Sequence, residues 1–143
     1  MAPPMWIGGS FTMQLTQRAP ADTFHLGQGY WMRVPSGGMN WTQVGTAAPA
    51  SAPYTIQLST GWNMIGNPFA YSVSLSSIKF TPTSGSGATF DTAASEGLIL
   101  PWIYTWAAGA TSYATLSSGA NLTPYSGYWI FANQPLTMSI PSS

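Results

Sequence analysis

The segment Gly61-Trp62-Asn63-Met64-Ile65-Gly66-Asn67-Pro68-Phe69 carries the strongest local signals in the 143-residue chain. Trp62 and Asn63 are expected to open a β-strand, with Trp62 filling the core and Asn63 bonding backbone amides of a neighbouring turn. Gly66, Asn67 and Pro68 are expected to end the strand, because proline cannot donate to a central ladder and asparagine tolerates turn geometry. This favours a structural role for the motif over ligand contact.

Alternating apolar and polar residues lie on both sides of this segment. Residues 54–58 and 136–140 alternate with period two, and so does a longer stretch whose apolar face is formed by Leu98, Leu100, Trp102, Tyr104 and Trp106. Glycine, proline and serine clusters separate the runs, and no helical stripe with caps is evident. Short strands punctuated by turns predict an all-β fold, an antiparallel β-sandwich or a barrel-like variant of it, with no helix longer than about two turns.

The sequence also contains an internal repeat. Gly29-Tyr30-Trp31-Met32 matches Gly127-Tyr128-Trp129-Ile130 at an offset of 128 − 30 = 98, and Trp6-Ile7 matches Trp102-Ile103 at an offset of 102 − 6 = 96. The period is therefore about 97 residues, the size of a domain rather than of a solenoid rung. Because the Gly-Trp-Asn segment occurs once, we predict one and a half copies, a C-terminal half-unit at 1–52 and a nearly complete unit at 53–143. That phase favours a piece of a longer array, or a protomer completed from elsewhere.

These motifs support a resemblance to a group of known repeats. The Gly-Trp-Asn-Met-Ile-Gly-Asn-Pro-Phe segment, followed by Trp102-Ile103-Tyr104 and by Gly127-Tyr128-Trp129-Ile130, resembles repeat modules in large secreted surface proteins of bacteria and archaea. The resemblance covers most of residues 54–140. It implies an extracellular, β-rich module and no catalytic residues.

Two pairs of adjacent aromatic residues, Tyr30-Trp31 and Tyr128-Trp129, are candidate contact residues. Neighbouring residues on a strand point to opposite faces. Tyr128 is in phase with Ile130 and is expected in the core, which puts Trp129 and Phe131 on the other face. If that face meets solvent, Trp129 marks contact with sugar or protein; if it meets a second sheet or another subunit, it is packing. We favour packing.

Composition argues against several classes of function. Only Arg18, Arg33, Lys79, Asp22, Asp91 and Glu96 carry formal charge, and they cancel. His25, near Asp22, is expected on a surface loop, and Asp91 and Glu96 are expected to be solvated loop charges. We therefore predict no enzyme activity, no catalytic residue, no cofactor and no metal site. Three basic residues cannot form a nucleic-acid footprint.

Two further features concern location. Asn40-Trp41-Thr42 and Asn121-Leu122-Thr123 are acceptor sequences for N-glycosylation. The longest apolar stretch, residues 97–110, is interrupted by Pro101 and is too short for a membrane span, and no signal peptide is recognisable at the N-terminus.

Two hypotheses of function remain. The first is an extracellular or cell-surface structural module of a surface layer, sheath, filament or adhesin, which associates with identical subunits or neighbouring repeats. The near-absence of charge and the incomplete repeat favour it. The second is a carbohydrate-binding module of a secreted enzyme, with exposed tryptophan and tyrosine rings as stacking platforms and a glycan as partner.

Overall fold

The computed structural model describes residues 23–32, 36–37 and 45–142, and almost all regular structure in these residues is β-strand. The strands are β1 (Tyr54–Leu58), β2 (Gly61–Gly66), β3 (Val73–Ser74), β4 (Lys79–Pro82), β5 (Ala88–Thr89), β6 (Ile103–Thr105), β7 (Ala114–Leu116), β8 (Asn121–Leu122), β9 (Gly127–Ala132) and β10 (Leu136–Ile140). One 3₁₀ turn (Leu75–Ser77) and one α-helix, α1 (Phe90–Ser95), interrupt them. The predicted all-β class is therefore confirmed.

The strands form two four-stranded antiparallel sheets and one two-stranded sheet. The first sheet has the order β1-β10-β4-β5, the second has the order β2-β9-β6-β7, and β3 pairs with β8. Within the described part of the chain, each four-stranded sheet runs from one edge strand to another and does not close on itself. A closed barrel is therefore not formed by these strands.

Buried side chains from both larger sheets belong to one hydrophobic core. In the first sheet, Met138 stands between Ile56 and Phe80 in neighbouring strands, and Met138 and Phe80 are fully buried. In the second sheet, buried Tyr128 lies opposite buried Ile65. Because period-two alternation sends every second side chain inward, burying these rows fixes the register of each pair.

Helix α1 corrects one prediction. Asp91 and Glu96 were expected in a loop, but Asp91 lies in the first turn of α1, and Glu96 is its C-terminal cap residue. The Thr89 hydroxyl accepts a hydrogen bond from the Thr92 amide (3.3 Å), which caps the helix start. Phe90 on this helix is buried in the core, while both acids are exposed, as expected.

Residues 27–29 lie along the outer edge of β2. Gln28 pairs with Ile65 in an isolated antiparallel bridge, the Gly66 amide donates to the Gly27 carbonyl (2.9 Å), and the Gly29 amide donates to the Met64 carbonyl (3.3 Å). A Cβ atom on Gly29 would lie 2.7 Å from the Ile65 carbonyl oxygen, so the approach requires glycine there. Residues 27–29 thus contact the Gly-Trp-Asn strand of the same chain.

Several sequence predictions lie outside the described residues. They concern Trp6-Ile7, Asp22 and the acceptor Asn40. Every named strand lies within residues 54–140. The division of the chain into 1–52 and 53–143 stays a prediction.

Candidate functional site

The Gly-Trp-Asn motif organises two turns, one at each end of β2. The Asn63 side chain accepts from the Ser59 amide (2.9 Å) and donates to the Ser59 carbonyl (2.8 Å), so it holds the turn that precedes β2. The Asn67 side-chain amide donates to the carbonyls of Tyr71 (2.7 Å) and Leu122 (2.9 Å), which ties the end of β2 to β8. The predicted turn-bonding role of Asn63 is confirmed, and β2 ends at Gly66 before Asn67 and buried Pro68, as predicted.

The predicted core position of Trp62 is wrong. Trp62 is half-buried on the outer face of the second sheet, opposite Phe131, and it is absent from the buried core. Ile65 fills the core from β2 instead. Trp62 and Ile65 are three residues apart and therefore project to opposite faces of the strand.

The outer face of the second sheet is lined with aromatic rings. We define the aromatic face by cross-strand neighbours on β2, β9 and β6 together with the rings that contact or border them: Trp31, Trp62, Trp102, Tyr104, Trp106, Tyr113, Trp129 and Phe131. Tyr128 is buried on the inner side of β9 while Trp129 and Phe131 lie on this face, as predicted. Alternation places Trp102, Tyr104 and Trp106 on one face of a strand, but no local signal marks Tyr113 as a neighbour of that face.

The rings of the aromatic face pack edge to face. Trp62 contacts Phe131 with ring centroids 5.1 Å apart at 74°, and Tyr104 at 5.7 Å and 67°. Trp106 contacts Tyr113 at 5.1 Å and 79°. This T-shaped geometry is the favoured one for aromatic pairs and adds about 1 kcal/mol per pair beyond area burial. The rings therefore support one another and form one continuous apolar surface.

Two polar groups are embedded in this face. The Trp102 Nε1 donates to the Tyr104 hydroxyl (3.0 Å). The Trp129 Nε1 is buried and forms no hydrogen bond of normal geometry with a described residue, although the Tyr113 hydroxyl interacts with the Trp129 side chain. Burial raises the pKa of Tyr113, and the contact with Trp129 partly opposes the rise.

The two Gly-Tyr-Trp copies adopt the same local turn. The Tyr30 hydroxyl accepts a hydrogen bond from the His25 amide, and the Tyr128 hydroxyl accepts one from the Thr123 amide, both at 2.8 Å. Donors and acceptors are separated by the same offset, since 123 − 25 = 98 and 128 − 30 = 98. Two residues before the shared glycine, both copies have positive φ, 75° at Gly27 and 61° at Tyr125. The repeated sequence thus goes with repeated hydrogen bonding and backbone conformation.

The groups considered for catalysis do not come together in the described residues. His25, Asp91 and Glu96 are all exposed, and no cluster of three or more histidine, cysteine or acidic residues that could hold a metal ion occurs within residues 23–32, 36–37 and 45–142. Asn121 is exposed on β8, so its side chain is accessible to a glycosylating enzyme. In the same residues, no helix is long and apolar enough to span a membrane.

A comparison of the chain with models of known protein families finds no match, and comparisons with curated proteins and with solved structures find none either.

Proposed function

We propose that this chain is a non-enzymatic, extracellular structural module, a β-sandwich of the repeat type, that assembles with identical or similar units into a surface layer, sheath, filament or adhesin. The aromatic face is the observation that carries the proposal. The resemblance of the Gly-Trp-Asn and Gly-Tyr-Trp motifs to repeats of secreted surface proteins supports the same function and the extracellular location.

The aromatic face has the composition of an interface core. Tryptophan and tyrosine dominate such cores, and each large aromatic side chain buries about 150–250 Å² when it is covered. Trp31 and Trp102 are each 39 % exposed, and the other rings of the face are half-buried. Because most of these rings are already partly covered, they would supply only part of the roughly 800 Å² per side of a stable protein interface, and the residues around them would supply the rest.

The distribution of charge favours assembly through this face. Among the described residues, the formal charges are on Lys79, Asp91 and Glu96, which lie in the first sheet and in helix α1. None of the residues that define the aromatic face is charged. A zero net charge over 143 residues provides little repulsion between copies.

The geometry gives less support to the second candidate, a carbohydrate-binding module. Its support is the exposure of Trp31 and Trp102, because an exposed ring can stack on a sugar. The paired rings stand at 65–79° to one another, however, so they present interlocked edges rather than a flat platform.

Substitution of Trp102 distinguishes the two candidates. Trp102→Ser removes an exposed ring of the aromatic face, and Tyr125→Ser removes a fully exposed tyrosine outside it as the matched control. We expect Trp102→Ser to weaken self-association in light scattering and Tyr125→Ser to leave it unchanged. The opposite outcome is a parent protein that does not self-associate but binds on a glycan array, with that binding lost in Trp102→Ser. This result would support carbohydrate binding and contradict the assembly function.

A further inference from the structure

The segment Phe24–Met32 exposes apolar side chains whose repeat counterparts are buried. Met32 is 49 % exposed and Phe24 is 43 % exposed. At the offset of 98 their counterparts are Ile130 and Leu122, which are both buried in the core. Residues of core type thus lie at the surface in the first copy, and residues 1–52 contain no Gly-Trp-Asn strand.

The two edges of β9 identify the strand that covers these positions in the complete unit. The Phe131 carbonyl accepts from the Leu100 amide (3.3 Å), and the Asn133 amide donates to the Leu98 carbonyl (2.9 Å). The Gly127 carbonyl accepts from the Thr105 hydroxyl on β6 (3.0 Å). The backbone groups of odd-numbered residues in β9 therefore face β6 and residues 98–100. The even-numbered ones face β2, since backbone groups alternate between the two edges of a strand.

Among the described residues, the first copy pairs through the edge that faces β6 in the complete unit. The Gly27 carbonyl and the Gly29 amide, which bond to β2 of the complete unit, are counterparts of the odd-numbered Tyr125 and Gly127. Where the alternation of β9 continues past Gly29, the backbone groups of Tyr30 and Met32 are directed to the opposite edge. In β9 that edge pairs with β2, where Tyr128 lies opposite Ile65 and Ile130 lies opposite Asn63.

We propose that the Tyr30–Met32 edge is a docking site for an extended polypeptide segment of the Gly61–Phe69 type, supplied by another repeat unit. The complete unit of this same chain provides the template for the complex. The incoming strand would pair with Tyr30 and Met32 as β2 pairs with Tyr128 and Ile130. The side chain of Met32 would then lie beside the incoming strand, as that of Ile130 lies beside Asn63 of β2. This inference rests on the repeat organisation in the proposed function, but it does not involve the aromatic face as the surface of assembly.

Thiol labelling tests the docking site, because the chain contains no cysteine. Met32→Cys places a reporter at the proposed site, and Tyr125→Cys places a matched reporter on a fully exposed side chain elsewhere. Each is made in the parent chain and in a chain extended before residue 1 by a second copy of residues 53–96. The offset of 96 aligns residue 1 with residue 97, so this extension completes the first unit.

We expect the extension to slow the labelling of the cysteine at position 32 by at least about tenfold, because a covered thiol reacts only after local opening. The labelling rate of the cysteine at position 125 should not change. An extension that carries Ile65→Pro in the added copy should give no protection, because proline removes a ladder hydrogen bond. Equal labelling of position 32 in all three chains would overturn the proposal.

A second arm uses the chain without any extension. A synthetic peptide of residues 59–69 is added to the Met32→Cys chain and to the Tyr125→Cys chain. Slower labelling at position 32 but not at position 125 supports the docking site. This result holds even if the extended chain fails to fold. No slowing at saturating peptide counts against it. Protection that appears without peptide, rises with protein concentration and persists in Trp102→Ser would identify a second copy as the donor of the segment and would support the proposal. Concentration-dependent protection that Trp102→Ser abolishes would assign it to contact through the aromatic face, which would overturn the proposal and leave the assembly function standing.

Discussion

Replacing Tyr128 by phenylalanine separates the hydroxyl contribution of the Gly-Tyr-Trp turn from that of its ring. Tyr128 is buried, and its hydroxyl accepts from the Thr123 amide (2.8 Å) and lies 3.0 Å from the Thr123 hydroxyl. A net hydrogen bond contributes about 1 kcal/mol, and a donor left without its partner adds to the loss. Tyr128→Phe should therefore lower the free energy of unfolding by about 2 kcal/mol.

The matched variant is Tyr30→Phe, which removes the corresponding hydroxyl from the first copy. Tyr30 makes the same 2.8 Å contact with the His25 amide, but at an exposed site where water can replace it. Its loss should lower the free energy of unfolding by only about 0.5 kcal/mol. Urea denaturation followed by tryptophan fluorescence measures both variants. A Tyr30→Phe effect as large as that of Tyr128→Phe, or no effect of Tyr128→Phe, would refute the reasoning.

The remaining predictions concern the core, a strained turn and the half-buried Tyr113. Met138→Ala should destabilise the protein by about 3 kcal/mol in urea denaturation because it leaves a core cavity, whereas its neighbour Ser139→Ala should change stability by less than about 0.5 kcal/mol. Tyr125→Gly should raise the thermal midpoint, since φ at Tyr125 is 61° and glycine adopts that conformation without strain; an unchanged or lower midpoint contradicts this. Because burial raises the pKa of Tyr113 above its ordinary value of 10.0, folding favours the neutral phenol, so the free energy of unfolding should fall as the pH rises above about 10. Tyr113→Phe should flatten that fall in alkaline denaturation, and an unaltered profile would contradict the prediction.

The strands were the part of the fold that the sequence predicted best. In β10, Leu136, Met138 and Ile140 alternate with polar residues and are all buried. The pattern works because a half-buried antiparallel strand needs one apolar face and one polar face. Residues 90–95 show where prediction from the alternating pattern fails. Helix α1 is too short for a helical stripe, and its capping Thr89 lies in a stretch that reads as loop.

Trp62 illustrates the limit of periodicity in the candidate site. Alternation divides a strand into two faces, but where both faces are apolar it does not identify the one that faces the core. In β2 the inward face carries Ile65, and the outward face carries Trp62 and Met64. The aromatic face arises because β6, which is distant in sequence, pairs with β9 and brings Tyr104 beside Trp129. That pairing is a long-range contact, and local pattern does not encode it.

Assembly is the central claim, and the solution mass of the native protein tests it most directly. A single chain has a mass of 15.2 kDa. Light scattering over increasing protein concentration should give a mass that rises well above this value. High salt should not reverse the rise, because salt screens attraction between charges and an apolar aromatic interface does not depend on such attraction. A mass that stays at 15.2 kDa up to about millimolar concentration, where even weak specific contacts would be populated, would contradict the account.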